Sequence, residues 1–345
     1  MTGMRQSLDE ARSEAPPAVT TESATDPLSD TNERKRHGWW RWAMHGIGLV
    51  LLVVIAMRID LHRTLELLFH QNLLVLIGAL ALFAPQTFFR TWRWRIILHA
   101  NNCRLTIAQL TRTVLQGLFW GMVTPGRVGE FAKAGMLRKL GYSWGRALGA
   151  TTLERLLDLG VILLVGILSA MVIHAVALSQ TMIWGIVGLA GLGAAAVGIA
   201  LFPRWKHVAL GLPFIRRYRE RLGAEFDEFR DTLLSPRRRG APGLAATTLL
   251  LWLLAYLEVY IFAINLGINI SFFFLIVTVS FGSVLTLLPI SVSGVGTRDA
   301  AYILLLGAIG VDAERAVALA AMVLFMFVFN GIVCYIAVAL QSRTE

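Results

Sequence analysis

Long apolar runs, separated by short polar segments, make up most of the chain after residue 40. A helix needs about 20 residues to cross the roughly 30 Å hydrocarbon core of a bilayer, and several of these runs approach or exceed that length. They predict transmembrane helices at Ala43–Met57, Leu73–Phe89, Leu148–Val176, Met182–Phe202, Leu244–Leu266 and Val317–Leu340.

Two further segments, Ile107–Val123 and Phe272–Leu306, are mostly apolar but are flanked or broken by glycine and proline. The first leads into TPGRVGEFAKAG (Thr124–Gly135), and the second contains PISVSGVGTRD (Pro289–Asp299). Irregular backbone at membrane depth is tolerated only where protein buries it or a wet cavity receives it. We therefore expect a helix break and a polar environment at both places.

Composition supports an all-α, polytopic membrane protein. The chain is 56% hydrophobic and only 16% charged, whereas soluble domains carry about 25% charged residues. Residues 1–38 differ from the rest, because the first 33 are rich in Ser, Thr, Pro and acidic residues and contain no aromatic residue. This composition is typical of a disordered tail, and no apolar core follows a basic start as in a signal peptide. The predicted membrane domain spans residues 39–341.

The distribution of Lys and Arg predicts the orientation, because cytoplasmic loops are enriched in both. The segment Arg90–Arg104 holds four Arg and no acid, Arg127–Arg146 holds five basic residues, and Pro203–Gly240 holds ten against five acidic residues. Arg34, Lys35, Arg36 and Arg41 precede the first helix. All of these segments, and both termini, are predicted to be cytoplasmic.

This orientation conflicts with a simple crossing at Ile107–Val123, because basic segments flank it on both sides. A re-entrant hairpin that enters from the cytoplasm resolves the conflict, and the same count makes Phe272–Leu306 a hairpin that enters from outside. Each break contains proline, two glycines, an Arg and an acid. Two opposed broken helices are typical of an inverted repeat in a transporter, although ordinary glycine-containing loops are the simpler alternative. The fold prediction is thus six crossings plus two opposed hairpins, or eight membrane segments.

Three motifs, TPGRVGEFAKAGML, TTLERLLDLG and LLPISVSGVGTRDAAYILLL, resemble the lysylphosphatidylglycerol synthase transmembrane family, the flippase-like membrane domain. With the helix spacing, the resemblance covers roughly residues 40–340. It implies movement of lipids with charged headgroups between leaflets. The named synthases also carry a soluble aminoacyl-transfer domain after the membrane part, whereas this sequence ends five residues after Leu340, so lysyl transfer is not expected. Hopanoid-associated membrane proteins resemble this family too, and the lipid is left open.

The two breaks supply the candidate lipid-binding residues. Guanidinium groups bind phosphate in a bidentate fork, backbone N–H groups at broken helix ends add donors, and glycine lets a backbone approach a ligand. An adjacent acid would hold each Arg in place or meet the cationic part of a headgroup. The candidates are Arg127, Glu130, Arg298, Asp299, Gly126, Gly129, Gly294 and Gly296.

Four other charged residues fall within apolar helices, where an ionised group costs about 2.5–3.5 kcal/mol on insertion scales. Glu154 and Asp158 share a helix face, and Arg155 can pair with Asp158. Their alternatives are a structural ion pair near the interface or a polar seam along the pathway. Glu258 falls in mid-helix, as a buried hydrogen-bonded carboxyl or as a proton relay or headgroup contact.

Several features receive simpler interpretations. RTWRWR (Arg90–Arg95) is typical of an interfacial belt, and Ile215–Leu234 of an amphipathic helix on anionic lipid. The net charge of +10 follows the inside loops and does not indicate nucleic acid. The spacing of His and Cys suggests no metal site or disulfide framework, and no Walker or G-x-S-x-G pattern occurs. No cofactor or catalytic residue is expected.

The sequence thus favours a flippase or transporter for an anionic or zwitterionic phospholipid in the cytoplasmic membrane. One alternative is an integral-membrane headgroup transferase, for which Glu130, Glu154 and Glu258 are the evident base or nucleophile candidates. Another is a membrane subunit that docks to a separate synthase through Pro203–Gly240.

The orientation can be tested with single cysteines introduced into a variant lacking Cys103 and Cys334. We expect cysteines in Ser143–Gly145 to react with an impermeant thiol reagent only after the cells are opened. The reason is the excess of Lys and Arg on both sides of Ile107–Val123. Strong labelling of these positions on intact cells would contradict the re-entrant hairpin.

Overall fold

The computed structural model describes residues 61–172 apart from residue 125, then 219–235, 240–286 and 294–341. The predicted helices Ala43–Met57 and Met182–Phe202 lie outside the described residues. So do the N-terminal tail, Pro125, Pro289 and most of Pro203–Gly240.

Every regular element among the described residues is helical. In chain order the α-helices are α1 (Leu61–Phe69), α2 (Leu73–Ala81), α3 (Phe83–Ala100), α4 (Ile107–Val123), α5 (Ala132–Lys139), α6 (Trp144–Val172), α7 (Arg219–Leu234), α8 (Ala241–Asn265), α9 (Phe272–Thr286), α10 (Thr297–Gly307) and α11 (Ala313–Gln341). A short 3₁₀ helix, Val128–Phe131, lies between α4 and α5.

Within the described residues, three helices are long and apolar enough to cross a membrane: Leu73–Ala100, Ala241–Asn265 and Ala313–Leu340. They agree with three predicted crossings, with one difference. The helix predicted to end at Phe89 continues to Ala100. Helices α2 and α3 join at Leu82, whose backbone N–H donates to the carbonyl oxygen of Ala79 and whose carbonyl oxygen accepts from the N–H of Gln86. The segment Arg90–Arg95 therefore belongs to the helix. The predicted crossing at Leu148–Val176 corresponds to α6, which is 29 residues long. Helix α1, which lies between the predicted crossings Ala43–Met57 and Leu73–Phe89, packs against α11.

Around the first break the chain forms a helical hairpin, in which a helix and a turn are followed by a helix that folds back. Helix α4 begins with a capping box between Thr106 and Gln109 and ends at Val123. The chain then reverses, and two glycines on α4 leave room for side chains of the returning segment. An added Cβ at Gly117 would lie 2.3 Å from the Lys133 side chain, and one at Gly121 would lie 2.3 Å from that of Glu130. The two arms are therefore antiparallel and closely packed.

Helices α9 and α10, which flank the second break and are called the second hairpin, also pack closely against each other. A Cβ at Gly282 would lie 2.8 Å from the ring of Tyr302 and 3.0 Å from Arg298, and one at Gly294 would lie 2.3 Å from Thr286. The break ends earlier than predicted, because α10 begins at Thr297. Arg298 and Asp299 thus lie in the first helical turn, and the Asp299 carboxylate accepts a 2.9 Å hydrogen bond from Gly296 N.

Helix α11 joins the two hairpins, because it packs against both α4 and α10. One apolar cluster is formed mainly by residues of α8, α9, α10 and α11. A second is formed mainly by α3, α4, α5 and α6, and it includes both cysteines, Cys103 and Cys334, which are buried and free.

Helix α7 confirms that a helix occupies much of Ile215–Leu234, but its packing is not that of a helix lying freely on lipid. It packs on the N-terminal half of α6, where an added Cβ at Gly145 would lie 2.0 Å from the carbonyl oxygen of Glu225. Gly145 N also donates to the Glu225 carboxylate, and Arg146 pairs with Glu228 at 3.2 Å. This helix is therefore part of the packed structure.

The first hairpin provides a test of the fold at Gly129. A Cβ at this position would lie 2.1 Å from the carbonyl oxygen of Trp120, and backbone cannot move aside as a flexible side chain can. We expect Gly129→Ala to lower the free energy of unfolding by about 1–3 kcal/mol, measured as a lower apparent Tm in detergent. The control is Gly135→Ala in α5, where nothing lies within 4 Å. Equal Tm values for the two variants would contradict this packing.

Candidate functional site

A chain of buried ion pairs connects the first hairpin to the helices around it. Lys133 pairs with Glu154 at 2.6 Å, Glu154 with Arg93 at 3.0 Å, and Arg93 with Asp158 at 2.6 Å. The side chains of Arg93, Lys133 and Glu154 are at most 2% exposed. Because buried charges must be paired and hydrogen-bonded, these contacts fix the relative positions of α3, α5 and α6.

The chain of ion pairs continues to the turn of the hairpin. Arg155 lies 4.0 Å from Asp158 and contacts the Glu130 carboxylate directly. Glu130 in turn lies 3.8 Å from Arg127 Nε. The predicted pairing of Arg155 with Asp158 is thus present but long, and Glu130 is the closer partner. Glu130 is shared between two arginines, so it does not fully neutralise Arg127.

Arg127 has an unusual backbone conformation. Its φ of 57° lies in the left-handed region, which is uncommon for residues other than glycine. The turn around it is held by Thr124, whose hydroxyl accepts a 2.6 Å hydrogen bond from Gly129 N and donates to Trp120 O at 2.8 Å. Strained residues of this kind are frequent at ligand sites. Here the conformation places an arginine at the tip of the hairpin.

The arginines of the two hairpins meet at one aromatic ring. The guanidinium carbon of Arg127 lies 5.5 Å from the ring centroid of Phe327 on α11, and that of Arg298 lies 5.4 Å from the same centroid. Both distances are within the range of cation–π contacts. Two residues 171 positions apart in the sequence are therefore neighbours, and α11 holds them together.

Both arginines line an internal cavity of about 90 Å³. Its walls come from α3, α4, α8, α9, α10 and α11 together with Arg127. The lining residues are Phe83, Gln86, Arg90, Leu118, Met122, Arg127, Trp252, Ala255, Glu258, Val259, Val279, Ser283, Thr286, Arg298, Tyr302, Val323, Met326, Phe327 and Asn330. One water needs about 10–15 Å³ measured this way, so the cavity has room for several waters or a small polar group.

The cavity is electropositive. Three guanidinium groups line it, those of Arg90, Arg127 and Arg298, against one carboxyl group, that of Glu258. The ion pairs found among the described residues engage Arg298 and Arg127 and leave Arg90 without one. An excess of guanidinium groups in a low-dielectric site favours an anion, and phosphate matches their fork geometry.

Three buried polar atoms of the cavity wall have no hydrogen-bond partner within the described residues. Asp299 accepts hydrogen bonds from Nε and Nη2 of Arg298, at 3.3 and 3.0 Å, but the buried Nη1 has no partner. Glu258 Oε1 and Asn330 Oδ1, also buried in the cavity wall, have no partner in the described part of the chain. Buried polar atoms without partners are rare in native proteins and call for a bound water, ion or ligand.

Glu258 is tied to α3 through Gln86, whose Nε2 donates a 2.6 Å hydrogen bond to Glu258 Oε2. Trp252, one and a half turns earlier on α8, donates from Nε1 to Asp158 at 3.0 Å. The cavity wall is thus linked to the chain of ion pairs. Of the two interpretations of Glu258, a hydrogen-bonded carboxyl is present, and it lies beside the candidate ligand site.

The structure divides the predicted site residues into two groups. Arg127, Arg298 and Glu258 line the cavity, while Glu154, Arg155 and Asp158 belong to the ion-pair chain behind it, with Glu130 at its end. Asp299 supports Arg298. The close approaches of Gly129 and Gly294 are to their own hairpins, and Gly126 and Gly296 have the positive φ values of 60° and 84° that turns require.

Sequence reasoning missed the contribution of α3. The segment Arg90–Arg95 looked interfacial, yet Arg93 and Trp94 are fully buried and Arg90 lines the cavity. Only Arg95 and Trp92 are exposed as an interfacial belt requires, and the guanidinium carbon of Arg95 lies 5.1 Å from the centroid of the Trp92 ring. Gln86, Arg90 and Arg93 recur at helical spacing along one face, and this periodicity was the available signal.

Comparison with known proteins shows that this chain is similar to membrane proteins. Residues 42–334 match the model of the family described as the lysylphosphatidylglycerol synthase TM region. The chain is also similar to a UPF0104 membrane protein of Pyrococcus horikoshii, with 22% identity over 296 residues that cover 79% of this chain and 88% of the relative. No solved structure shows a significant match.

The family match includes both hairpins, the chain of ion pairs and all the residues of α11 that line the cavity. The chain therefore belongs to the lysylphosphatidylglycerol synthase TM region family.

Proposed function

We propose that this protein binds the anionic headgroup of a phospholipid in the arginine-lined cavity and moves it between the leaflets of the cytoplasmic membrane. The observation that carries the proposal is the convergence of Arg90, Arg127 and Arg298 on one cavity inside a membrane protein. A phosphodiester needs cationic donors when it leaves the water, since unpaired charge is costly in hydrocarbon. Three guanidinium groups at one place meet that need.

The two hairpins support a transport role. Each contains a break with an arginine in it or directly after it, and both arginines contact Phe327. Transporters commonly place substrate between two such elements near the membrane centre. In the proposed arrangement the hairpins enter the membrane from opposite sides, and both termini are cytoplasmic. The substrate is an anionic or zwitterionic phospholipid.

Replacement of the cavity arginines tests the proposal. Arg127→Gln, Arg298→Gln and Arg90→Gln each remove a charge and the guanidinium fork while keeping much of the side chain. A hydrogen bond to a charged group contributes about 1.5–3 kcal/mol, so each variant is expected to lower leaflet exchange of a fluorescent phosphatidylglycerol in proteoliposomes about 10- to 100-fold. Lys at the same positions should restore exchange only in part.

Arg95→Gln is the matched control, because Arg95 is exposed on the same helix as Arg90. Its exchange rate is expected to equal that of the unchanged protein. All variants are first compared by size-exclusion chromatography and apparent Tm. Normal exchange in well-folded Arg127→Gln and Arg298→Gln would contradict the proposal, whereas chemical conversion of the lipid by the unchanged protein would favour a headgroup transferase.

Glu258 tests the sign of the headgroup charge. Glu258→Gln removes the carboxyl group from the cavity wall but keeps an acceptor for Gln86. Because a carboxylate repels phosphate, the variant is expected to bind phosphatidylglycerol more tightly, by about three- to tenfold for a change on the order of 1 kcal/mol. This effect is opposite in sign to that of the arginine variants. Binding is measured by thermal-shift titration with the lipid.

The control for this variant is Glu66→Gln on the exposed face of α1, which is expected to leave binding unchanged. Lysylphosphatidylglycerol is titrated in parallel. Weaker binding of lysylphosphatidylglycerol to Glu258→Gln, with phosphatidylglycerol binding unaltered, would contradict the anionic assignment and place a cationic group beside Glu258.

A further inference from the structure

An apolar groove of about 480 Å³ lies between α4 and α11 on the outer face of the helices. Met122 and Val123 form part of one wall, and Phe327, Ile332 and Tyr335 form part of the other. Val123, Ile332 and Tyr335 are each more than half exposed. The groove is therefore open on the side away from the core, where apolar surface in a membrane protein faces lipid chains.

The groove and the arginine-lined cavity share two lining residues. Met122 and Phe327 line both spaces, and Phe327 is the ring beneath Arg127 and Arg298. A cationic site and an apolar groove are thus separated by the thickness of one or two side chains. A phospholipid has the same division, an anionic headgroup joined to apolar chains.

Gly331 gives the groove its depth. It lies on α11 one turn after Phe327, and a Cβ added there would be 3.4 Å from Met122 Sδ. Any larger side chain at this position would therefore fill the groove beside the wall that it shares with the cavity. The cavity itself does not include Gly331 among its lining residues.

We infer that this groove holds an acyl chain of the same lipid molecule whose anionic headgroup enters the cavity. The inference rests on the proposed function and adds the place where the hydrocarbon part of the substrate lies. The continuity through Met122 and Phe327 selects a lipid chain as the occupant, because the adjoining space is built for the anion at its other end. A headgroup bound in the cavity can thereby remain attached to a chain outside the core.

Two probes separate this inference from the proposed function. The first is dioleoylphosphatidylglycerol, and the second is sn-glycerol 3-phosphate, which has the anion but no chain. Gly331→Phe is expected to weaken binding of the lipid about tenfold or more, because displacing two or three methylenes from apolar contact costs about this much. It should leave binding of glycerol phosphate unchanged. Gly331→Ala should have a small effect and Gly331→Leu an intermediate one.

Gly160→Phe is the matched control, since Gly160 is an exposed helical glycine with nothing within 4 Å of an added Cβ. It should alter the binding of neither probe. Unchanged lipid binding by Gly331→Phe, with arginine variants that do lose both probes, would overturn the acyl-chain site and leave the proposed function standing. Arginine variants that bind both probes normally would overturn the proposed function itself.

A labelling experiment on the unchanged protein keeps the inference testable if Gly331→Phe does not fold. Phosphatidylglycerol with a photoreactive diazirine near the end of one chain is expected to form adducts within residues 119–123 and 324–335, and excess unlabelled lipid should suppress them. Adducts elsewhere but not in these two segments would overturn the inference. That result would also follow if a second copy of the chain, or another part of this one, covered the groove.

Discussion

The interaction on which the structure depends is the chain of buried ion pairs from Lys133 through Glu154, Arg93 and Asp158 to Arg155 and Glu130. Removing one partner from a buried pair leaves an uncompensated charge and costs about 3–5 kcal/mol. Because its members come from α3, α5, α6 and the turn of the first hairpin, the chain fixes that hairpin against two long helices. It also engages the carboxylates of Glu130, Glu154 and Asp158. The arginines that line the cavity can then remain partly uncompensated, which an anion-binding site requires.

The sequence predicted the elements of the fold better than their relationships. The helix Ile107–Val123 and the positions of both breaks follow from apolar length and from glycine and charge, which are local signals. The pairing of Arg93 with Asp158 joins residues 65 positions apart, and local patterns do not determine such contacts. Arg90 and Arg93 were misassigned for a physical reason. A cluster of Arg and Trp at the end of an apolar run is typical of an interface, and its burial depends on acids contributed by another helix.

The same distinction applies to the glycines. A Gly-rich break predicts a turn, and Gly126 and Gly296 do have positive φ values. Three glycines inside helices have no such sequence signal, yet they allow the arms of the hairpins to pack closely. Gly117 contacts Lys133 and Gly121 contacts Glu130 in the first hairpin, and Gly282 contacts Arg298 and Tyr302 in the second. Small residues let helices approach closely in membranes. Which glycine faces a partner is a property of tertiary packing, so a single sequence could not distinguish them.

The two arginines at Phe327 are held with different firmness. Arg298 is almost fully buried and donates hydrogen bonds from two nitrogens to the Asp299 carboxylate. The Arg127 side chain is 20% exposed, and its partner Glu130 lies 3.8 Å away and is shared with Arg155. In the proposed binding of a lipid, Arg127 would therefore follow the headgroup with less loss of existing contacts, while Arg298 would provide a fixed position. This asymmetry assigns different parts to the two hairpins.

A cavity of about 90 Å³ must widen before it admits a whole phospholipid headgroup. The free energies of the contacts on the two sides of the first hairpin indicate which side separates more readily. The chain of ion pairs on one side of the first hairpin costs several kcal/mol to break. On the other side, Phe327 meets the arginines through cation–π contacts that contribute about 0.5–2 kcal/mol each. Of these two sets of contacts, those of Phe327 with the arginines therefore need less free energy to break. In the proposed transport, a lipid in the groove would pass its headgroup inward past Met122 and Phe327, and the ion-paired hairpin would stay attached to α3 and α6.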